Sequence, residues 1–244
     1  MKVFAGTDIG KAREKNQDYY YVSGSYDDIK LCVLADGMGG YTGGEIASNM
    51  AVNAVKNYIY NNYSKIKLET DNIINLLKDA TQYANMVIYE KTRQVEELEE
   101  MGTTLEIALI IDNKLYISHI GDSRIYKIKN DKIMQITKDH SYVEKLINDG
   151  TITREQAKVH PQKNVLTKAL GCTAFVEPDL IVEKIEKNDI IFICSDGLTN
   201  MLEEKEILKI IKDNPESPNK ELIASANKAG GMDNITVIVI ENED

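Results

Sequence analysis

Four aspartates stand at the ends of apolar runs, where a strand would hold a carboxylate rigidly and close to the surface. They are Asp36 after LCVLA, Asp122 after LYISHIG, Asp196 after IIFICS and Asp233 before ITVIVI. A single Asp-Gly pair such as Asp36-Gly37 is typical of a tight turn. Four acidic strand ends in one chain instead predict a shared site, because the strands of one sandwich can bring their ends to the same edge.

Such a cluster persists only if protons or a hard cation neutralise it, because converging carboxylates repel one another. Oxygen ligands favour magnesium or manganese. Calcium is disfavoured because no twelve-residue loop of alternating Asp and Asn occurs, and zinc because the 3 histidines and 3 cysteines show no ligand spacing. Two cations about 3.5–4 Å apart could share a water, lower its pKa and clamp a phosphate for in-line attack. The pattern therefore predicts a hydrolase.

A second polar cluster, residues 13–18, lies in the turn between the first two predicted strands. The planar guanidinium of Arg13 matches two phosphate oxygens, which predicts a substrate clamp, although an isolated surface arginine usually has no such role. Asp18 could bind metal directly or orient a metal-bound water from behind the ligands.

The glycine-rich loop at residues 36–45 invites comparison with nucleotide-binding loops. It lacks the Gly-Lys-Ser/Thr of a P-loop, and Thr42 occupies the third glycine position of the dinucleotide pattern. The glycines are better explained if they let backbone carbonyls, including that of Gly37, approach a cation.

Short apolar or alternating segments predict ten strands joined by short turns, and therefore largely antiparallel sheets. The segments are 2–8, 19–23, 30–35, 103–111, 114–120, 124–129, 132–136, 179–186, 189–195 and 235–241. Amphipathic patterns predict a helix around 47–59, a second one capped at Thr70 or Asp71, and two shorter ones near 203–212 and 219–229. Strands in two groups with helices outside indicate a layered α+β sandwich. Residues 138–170 are polar and irregular, which predicts a short helical flap over a surface site.

The composition predicts one catalytic domain over residues 1–244, with 43% hydrophobic and 28% charged residues. A net charge of -10 argues against nucleic acid as a partner. The apolar runs are shorter than the roughly 18 residues that cross a bilayer, and no secretory signal is visible, so neither membrane insertion nor export is expected. The odd number of cysteines fits a reducing cytoplasm.

The motifs together resemble one family, the metal-dependent type 2C (PPM) protein serine/threonine phosphatases, and particularly their compact bacterial members. The matching motifs are TDIGKAREKNQD, LADGMGGYTGGEIAS, MGTTL, HIGDSRIY, ITKDHS, LTKALG, CSDGLTNML and GGMDNITVIVI. The resemblance implies a four-layer αββα sandwich, hydrolysis of phosphoserine and phosphothreonine in proteins, and signalling against a bacterial Ser/Thr kinase and its targets. A monomer is the default expectation.

The resemblance also implies roles for individual residues. Asp36 would bridge two manganese or magnesium ions, with the Gly37 carbonyl helping to hold one ion, and Asp196 and Asp233 holding the other. Asp122 with Asp196 matches the pair that binds a third, weaker ion in bacterial relatives. Arg13 matches the phosphate-binding arginine, and Asp18 matches an acidic position that hydrogen-bonds metal-bound water.

One position departs from the pattern, because Tyr41 stands where many relatives have a histidine proposed to protonate the leaving alkoxide. A phenol has an ordinary pKa of about 10, so at neutral pH it is a weaker acid than the histidine it replaces. The departure keeps open an alternative function, a metal-binding pseudophosphatase that acts as a regulatory binding protein. Cysteine-based phosphatase chemistry is excluded, because no Cys-x5-Arg motif occurs.

Overall fold

The computed structural model describes residues 1–24, 27, 29–40 and 42–243, and in this part of the chain it contains eleven strands and seven α-helices. The strands are β1 (Lys2–Asp8), β2 (Asp18–Val22), β3 (Lys30–Met38), β4 (Gly102–Thr103), β5 (Leu105–Ile111), β6 (Lys114–Ile120), β7 (Arg124–Lys129), β8 (Lys132–Gln135), β9 (Asp179–Lys184), β10 (Ile190–Cys194) and β11 (Ile235–Glu241). The helices are α1 (Gly43–Asn62), α2 (Thr70–Gln94), α3 (Tyr142–Asn148), α4 (Arg154–Lys158), α5 (Asp196–Thr199), α6 (Glu204–Asp213) and α7 (Pro218–Lys228).

The strands form two sheets, and each strand pairing within the described residues is antiparallel, as predicted. The first sheet has the order β1-β11-β10-β7-β8, and the second has the order β2-β3-β5-β6-β9 with β4 against β3. The turn between β7 and β8 is the predicted pair Asn130 and Asp131, whose φ angles of 48° and 63° suit a two-residue hairpin.

Helices cover the outer face of each sheet, which confirms the four-layer αββα sandwich. The predicted stripe of α1 is buried with α2 against the second sheet, and α6 and α7 pack against the first sheet. Between the sheets lies a third apolar cluster that includes Leu34, Ile117 and Ile238. None of the described helices combines the length and the apolar character that crossing a bilayer requires.

The predicted strand at 103–111 is interrupted at Thr104, which separates β4 from β5. The interruption has a local cause, because Thr104 bonds twice to the backbone of Asp36. Its Oγ1 accepts the Asp36 N–H at 2.9 Å, and its own N–H donates to the Asp36 carbonyl at 2.9 Å. The break in the strand thus fixes the backbone of a predicted metal ligand.

Residues 138–170, the flap segment, contain the short helices α3 and α4 between β8 and β9. The Ser141 hydroxyl caps α3 by accepting the Glu144 N–H at 3.2 Å, and Thr153 with Gln156 forms a capping box at α4. The segment returns to the sandwich through a bridge between Leu170 and Thr103 of β4.

Candidate metal centre

Five aspartates converge at one end of the sandwich, and both sheets contribute to the set. Asp18 and Asp36 face each other in the register of β2 and β3, and Asp122 follows β6. Asp196 begins α5 directly after β10, and Asp233 precedes β11. Burial raises the pKa of Asp36 well above its ordinary value, and the charges of the other four aspartates raise it further. The fold therefore assembles the acidic cluster that the strand ends predict.

Asp18 is the most buried of these aspartates, with 5% of its surface exposed. Its Oδ2 accepts hydrogen bonds from Ser195 Oγ at 2.8 Å and from Thr236 Oγ1 at 2.7 Å. Burial is the main cause that raises its pKa to about 7. Its Oδ1 is buried and has no hydrogen-bond partner among the described residues. A buried carboxylate oxygen without a donor, in an all-oxygen set, fits a hard cation near this position.

Protein donors occupy the carboxylates contributed by the first sheet. Asn200 Nδ2 donates to Asp196 Oδ2 at 3.0 Å, and Arg13 Nη2 donates to Asp233 Oδ2 at 2.7 Å. Within the described ranges, no group of three His, Cys, Asp or Glu side chains is arranged to hold a metal ion as it stands. Metal ligation by these two oxygens would therefore require the hydrogen bonds from Asn200 and Arg13 to be released.

Arg13 reaches the site because its loop is held by Asn234. The Asn234 Oδ1 accepts the Gln17 N–H at 2.8 Å, and its Nδ2 donates to the Ile9 and Lys15 carbonyls at 2.9 Å each. The Arg13 side chain remains 51% exposed, so it stays in contact with solvent while it bonds to Asp233. Asn234 was not among the residues predicted for the site. Its position directly after Asp233 is the one feature of the sequence that pointed to it.

Two glycines allow the acidic residues to sit where strands meet helices. A Cβ at Gly37 would lie 2.0 Å from the Gly44 carbonyl oxygen, and one at Gly197 would lie 1.9 Å from the Asn234 carbonyl oxygen. These contacts account for both glycines through close backbone packing. Ligation by the Gly37 carbonyl stays a prediction, and Tyr41 lies outside the described residues.

A cleft of about 670 Å³ runs between the flap segment and the region of α5 and α6, and its lining includes Asp122 and Asp196. Ion pairs border it: Arg124 Nη2 lies 2.6 Å from Asp139 Oδ2, and Lys158 Nζ lies 2.6 Å from Glu203 Oε1. The second pair joins α4 of the flap segment to the residue that caps α6. The cleft therefore reaches the acidic cluster at Asp122 and Asp196.

The family described as "Protein phosphatase 2C" matches residues 5–225. The serine/threonine phosphatase stp of Listeria innocua serovar 6a is 38% identical over 96% of this chain and 93% of its own length. The protein phosphatase PhpP of Streptococcus pneumoniae serotype 2 is 38% identical over 98% and 97%. The catalytic domain of the phosphatase PstP, solved with two manganese ions, superposes with a TM-score of 0.85, 33% identity, and coverage of 98% and 96%.

Proposed function

Because this chain belongs to the protein phosphatase 2C family, we propose that it is a metal-dependent protein serine/threonine phosphatase. The family predicted from the motifs is confirmed. One observation carries the proposal, namely the convergence of five aspartates from both sheets beside Arg13. The pseudophosphatase alternative is not supported, because the relatives are named as phosphatases and the chain keeps this acidic set.

Two Mn²⁺ or Mg²⁺ ions are the cofactors that the donor set fits. Asp36 and the Gly37 carbonyl would hold one ion, and Asp36, Asp196 and Asp233 would hold the other. Asp122 with Asp196 would hold a third, weaker ion. When bound, such ions activate water for attack on phosphorus and neutralise phosphate charge. The orphaned Oδ1 of Asp18 is available to orient the attacking water through a hydrogen bond.

The remaining steps fall to the side chains around the cluster. The exposed guanidinium of Arg13 would bind two phosphate oxygens and hold the ester in line with the attacking water. As the P–O bond to the serine or threonine side chain breaks, the departing alkoxide oxygen would take up a proton, which the Tyr41 phenol could donate only weakly at neutral pH.

The finer assignments complete the proposal. The substrates would be phosphorylated proteins, including a Ser/Thr kinase and its targets, whose chains would lie in the cleft beside the flap segment. Residues 1–244 would act as one catalytic domain and as a monomer. Three free cysteines, Cys32, Cys172 and Cys194, support a reducing cytoplasmic location.

The test of this function is phosphate release from a phosphothreonine peptide, measured with and without added manganese. Manganese-dependent release that is abolished in both Asp36→Asn and Asp233→Asn supports the proposal. A native chain that binds manganese and releases no phosphate would return the pseudophosphatase alternative.

Removing the Arg13 fork should weaken the enzyme without unfolding it. We expect Arg13→Ala to lower kcat/KM for the phosphopeptide by about 100-fold, and Arg13→Lys by less, because lysine keeps the charge and loses the planar fork. Steady-state kinetics at saturating manganese measure the effect. Lys11→Ala is the matched control, since Lys11 is an exposed cation in the same loop, and its backbone N–H donates to the Gly231 carbonyl at 2.7 Å. Equal losses in Arg13→Ala and Lys11→Ala would contradict the clamp.

Replacing Tyr41 tests the assignment of the general acid. We expect Tyr41→His to accelerate hydrolysis of a serine phosphate by about tenfold and to change hydrolysis of an activated aryl phosphate far less, because only the alkoxide needs a proton in order to leave. Rates for the two substrates, compared at neutral pH, give the result. An unchanged rate for the serine phosphate would show that position 41 does not limit turnover.

A further inference from the structure

A buried acid–base pair lies between the two sheets, outside the candidate metal centre. Glu106 of β5 and His119 of β6 are directly opposite in register, and both side chains are 0% exposed. Glu106 Oε1 bonds to His119 Nδ1, and Glu106 Oε2 has no hydrogen-bond partner among the described residues. Their neighbours on the same strand face, Ala108 and Ile117, belong to the apolar cluster between the sheets. Burying a polar pair among apolar side chains need not stabilise the fold, because the cost of removing both groups from water can exceed the gain from pairing them.

The pair connects the sandwich to the flap segment. His119 Nε2 donates to the Lys138 carbonyl at 2.9 Å, since a carbonyl can only accept. The His119 ring also stacks on the ring of His140, with centroids 4.6 Å apart and planes at 24°. The Thr167 N–H donates to the His140 carbonyl at 2.8 Å, so the two ends of the flap segment meet at His140.

His140 in turn fixes the turn that carries Asp122. Its Nδ1 accepts the Gly121 N–H at 3.1 Å, and its own N–H donates to the Gly121 carbonyl at 2.7 Å. Gly121 has φ of +111°, and a Cβ there would lie 2.5 Å from the Thr104 side chain. The backbone on either side of Gly121 is therefore held by His140 and crowded by Thr104, which leaves Asp122 little freedom.

We propose that Glu106 and His119 are positioning residues that hold His140, and through it the Gly121–Asp122 turn and the base of the flap segment, in a fixed relation to the sandwich. The kinetic part of this inference rests on the proposed function, and the structural part does not. Without the pair, the flap segment opens more often and Asp122 is less well placed. Asp18 and Asp36 keep their contacts, because neither hydrogen-bonds to the pair.

The deciding variant is the double substitution Glu106→Leu with His119→Leu. It leaves no buried charge unpaired, so the fold should be retained, and it removes the bond to Lys138 and the ring stack. Trypsin cleavage of the metal-free protein within the flap segment, at Lys145, Arg154, Lys158 and Lys163, is expected to accelerate about tenfold. The kcat/KM for a phosphopeptide should fall about tenfold, and that for a small aryl phosphate should fall less.

Ser118→Ala is the matched control. Ser118 is the neighbour of His119 on β6, is buried, and bonds through its hydroxyl to Thr81 of α2 at 2.7 Å. It should leave flap cleavage unchanged. Native-like cleavage of the double variant overturns the proposal, whether or not the chain proves to be a phosphatase. If the double variant does not fold, His140→Gln takes its place, because it also removes the ring stack. Faster cleavage of its flap segment supports the proposal, and native-like cleavage overturns it.

Discussion

Asp36→Asn is expected to abolish manganese-dependent phosphate release while it stabilises the metal-free protein. The loss of activity, about 1000-fold or more, follows if the carboxylate is a ligand of both ions. The gain in stability follows from the neighbouring aspartates, since burial and four like charges raise the pKa of Asp36 well above its ordinary value. A neutral amide removes that repulsion, and the free energy of unfolding should rise by about 1 kcal/mol, or about 2–4 °C in Tm.

Phosphate release and thermal unfolding without metal, measured on the same preparation, test the two effects together. Asp112→Asn is the control, because Asp112 lies in the hairpin turn at the opposite end of β6 from Asp122 and has a φ of 51° that asparagine tolerates. A variant that loses both activity and stability would mean that Asp36 is needed for folding and would remove the argument from repulsion.

The metal-free protein should lose stability as the pH rises from about 5 to about 8. Burial raises the pKa of Asp18 to about 7 and that of Asp196 to about 6, and it also raises the pKa of Asp36 and of Asp122. Between the ordinary carboxyl pKa of about 4 and a pH of about 7, the folded chain thus binds more protons than the unfolded chain. The free energy of unfolding therefore falls as the pH rises.

One histidine acts in the opposite direction. Burial lowers the pKa of His140 to about 4, so its contribution to stability rises with pH between about 4 and 6.5. Four carboxyls outweigh it, and we expect a net loss of about 2 kcal/mol or more between pH 5 and pH 8.

Manganese should reverse this loss. Binding to the folded chain alone contributes about 2.7 kcal/mol when the ion is present at 100 times its Kd, and it is strongest where the carboxylates are ionised. Thermal unfolding at pH 5 and pH 8, with manganese and with a chelator, measures the difference. If Tm without metal rises from pH 5 to pH 8, or if manganese stabilises the chain more at pH 5, the carboxylates do not share a site.

The alternation of apolar and polar residues was enough to predict most of the strands and a layered sandwich. Alternating apolar residues specify which face of a strand is buried, and Asn130-Asp131 specifies a hairpin, because both signals are local. The predicted strand at 30–35 stops before Asp36, whereas β3 continues to Met38, so Asp36 lies within the strand close to its end. These features depend on residues that are close together in sequence.

The side-chain contacts of the site could not be predicted in this way. The pairing of Arg13 with Asp233 joins residues separated by 220 positions, and it presents the predicted phosphate clamp as a partner of a predicted metal ligand. Glu106 breaks an otherwise apolar run and pairs with His119, yet nothing in the period shows that these two side chains meet. Such contacts depend on which distant loops and strands come together in space, and the local pattern of a single sequence does not specify that.

The place of β11 in the first sheet links completion of that sheet to completion of the site. This strand lies between β1 and β10, and Asp233 immediately precedes it. Without residues 235–241, no strand would lie between β1 and β10, and Asp233 would not be anchored to the first sheet. Pairing of this one strand with both neighbours therefore completes the first sheet and its share of the acidic cluster together.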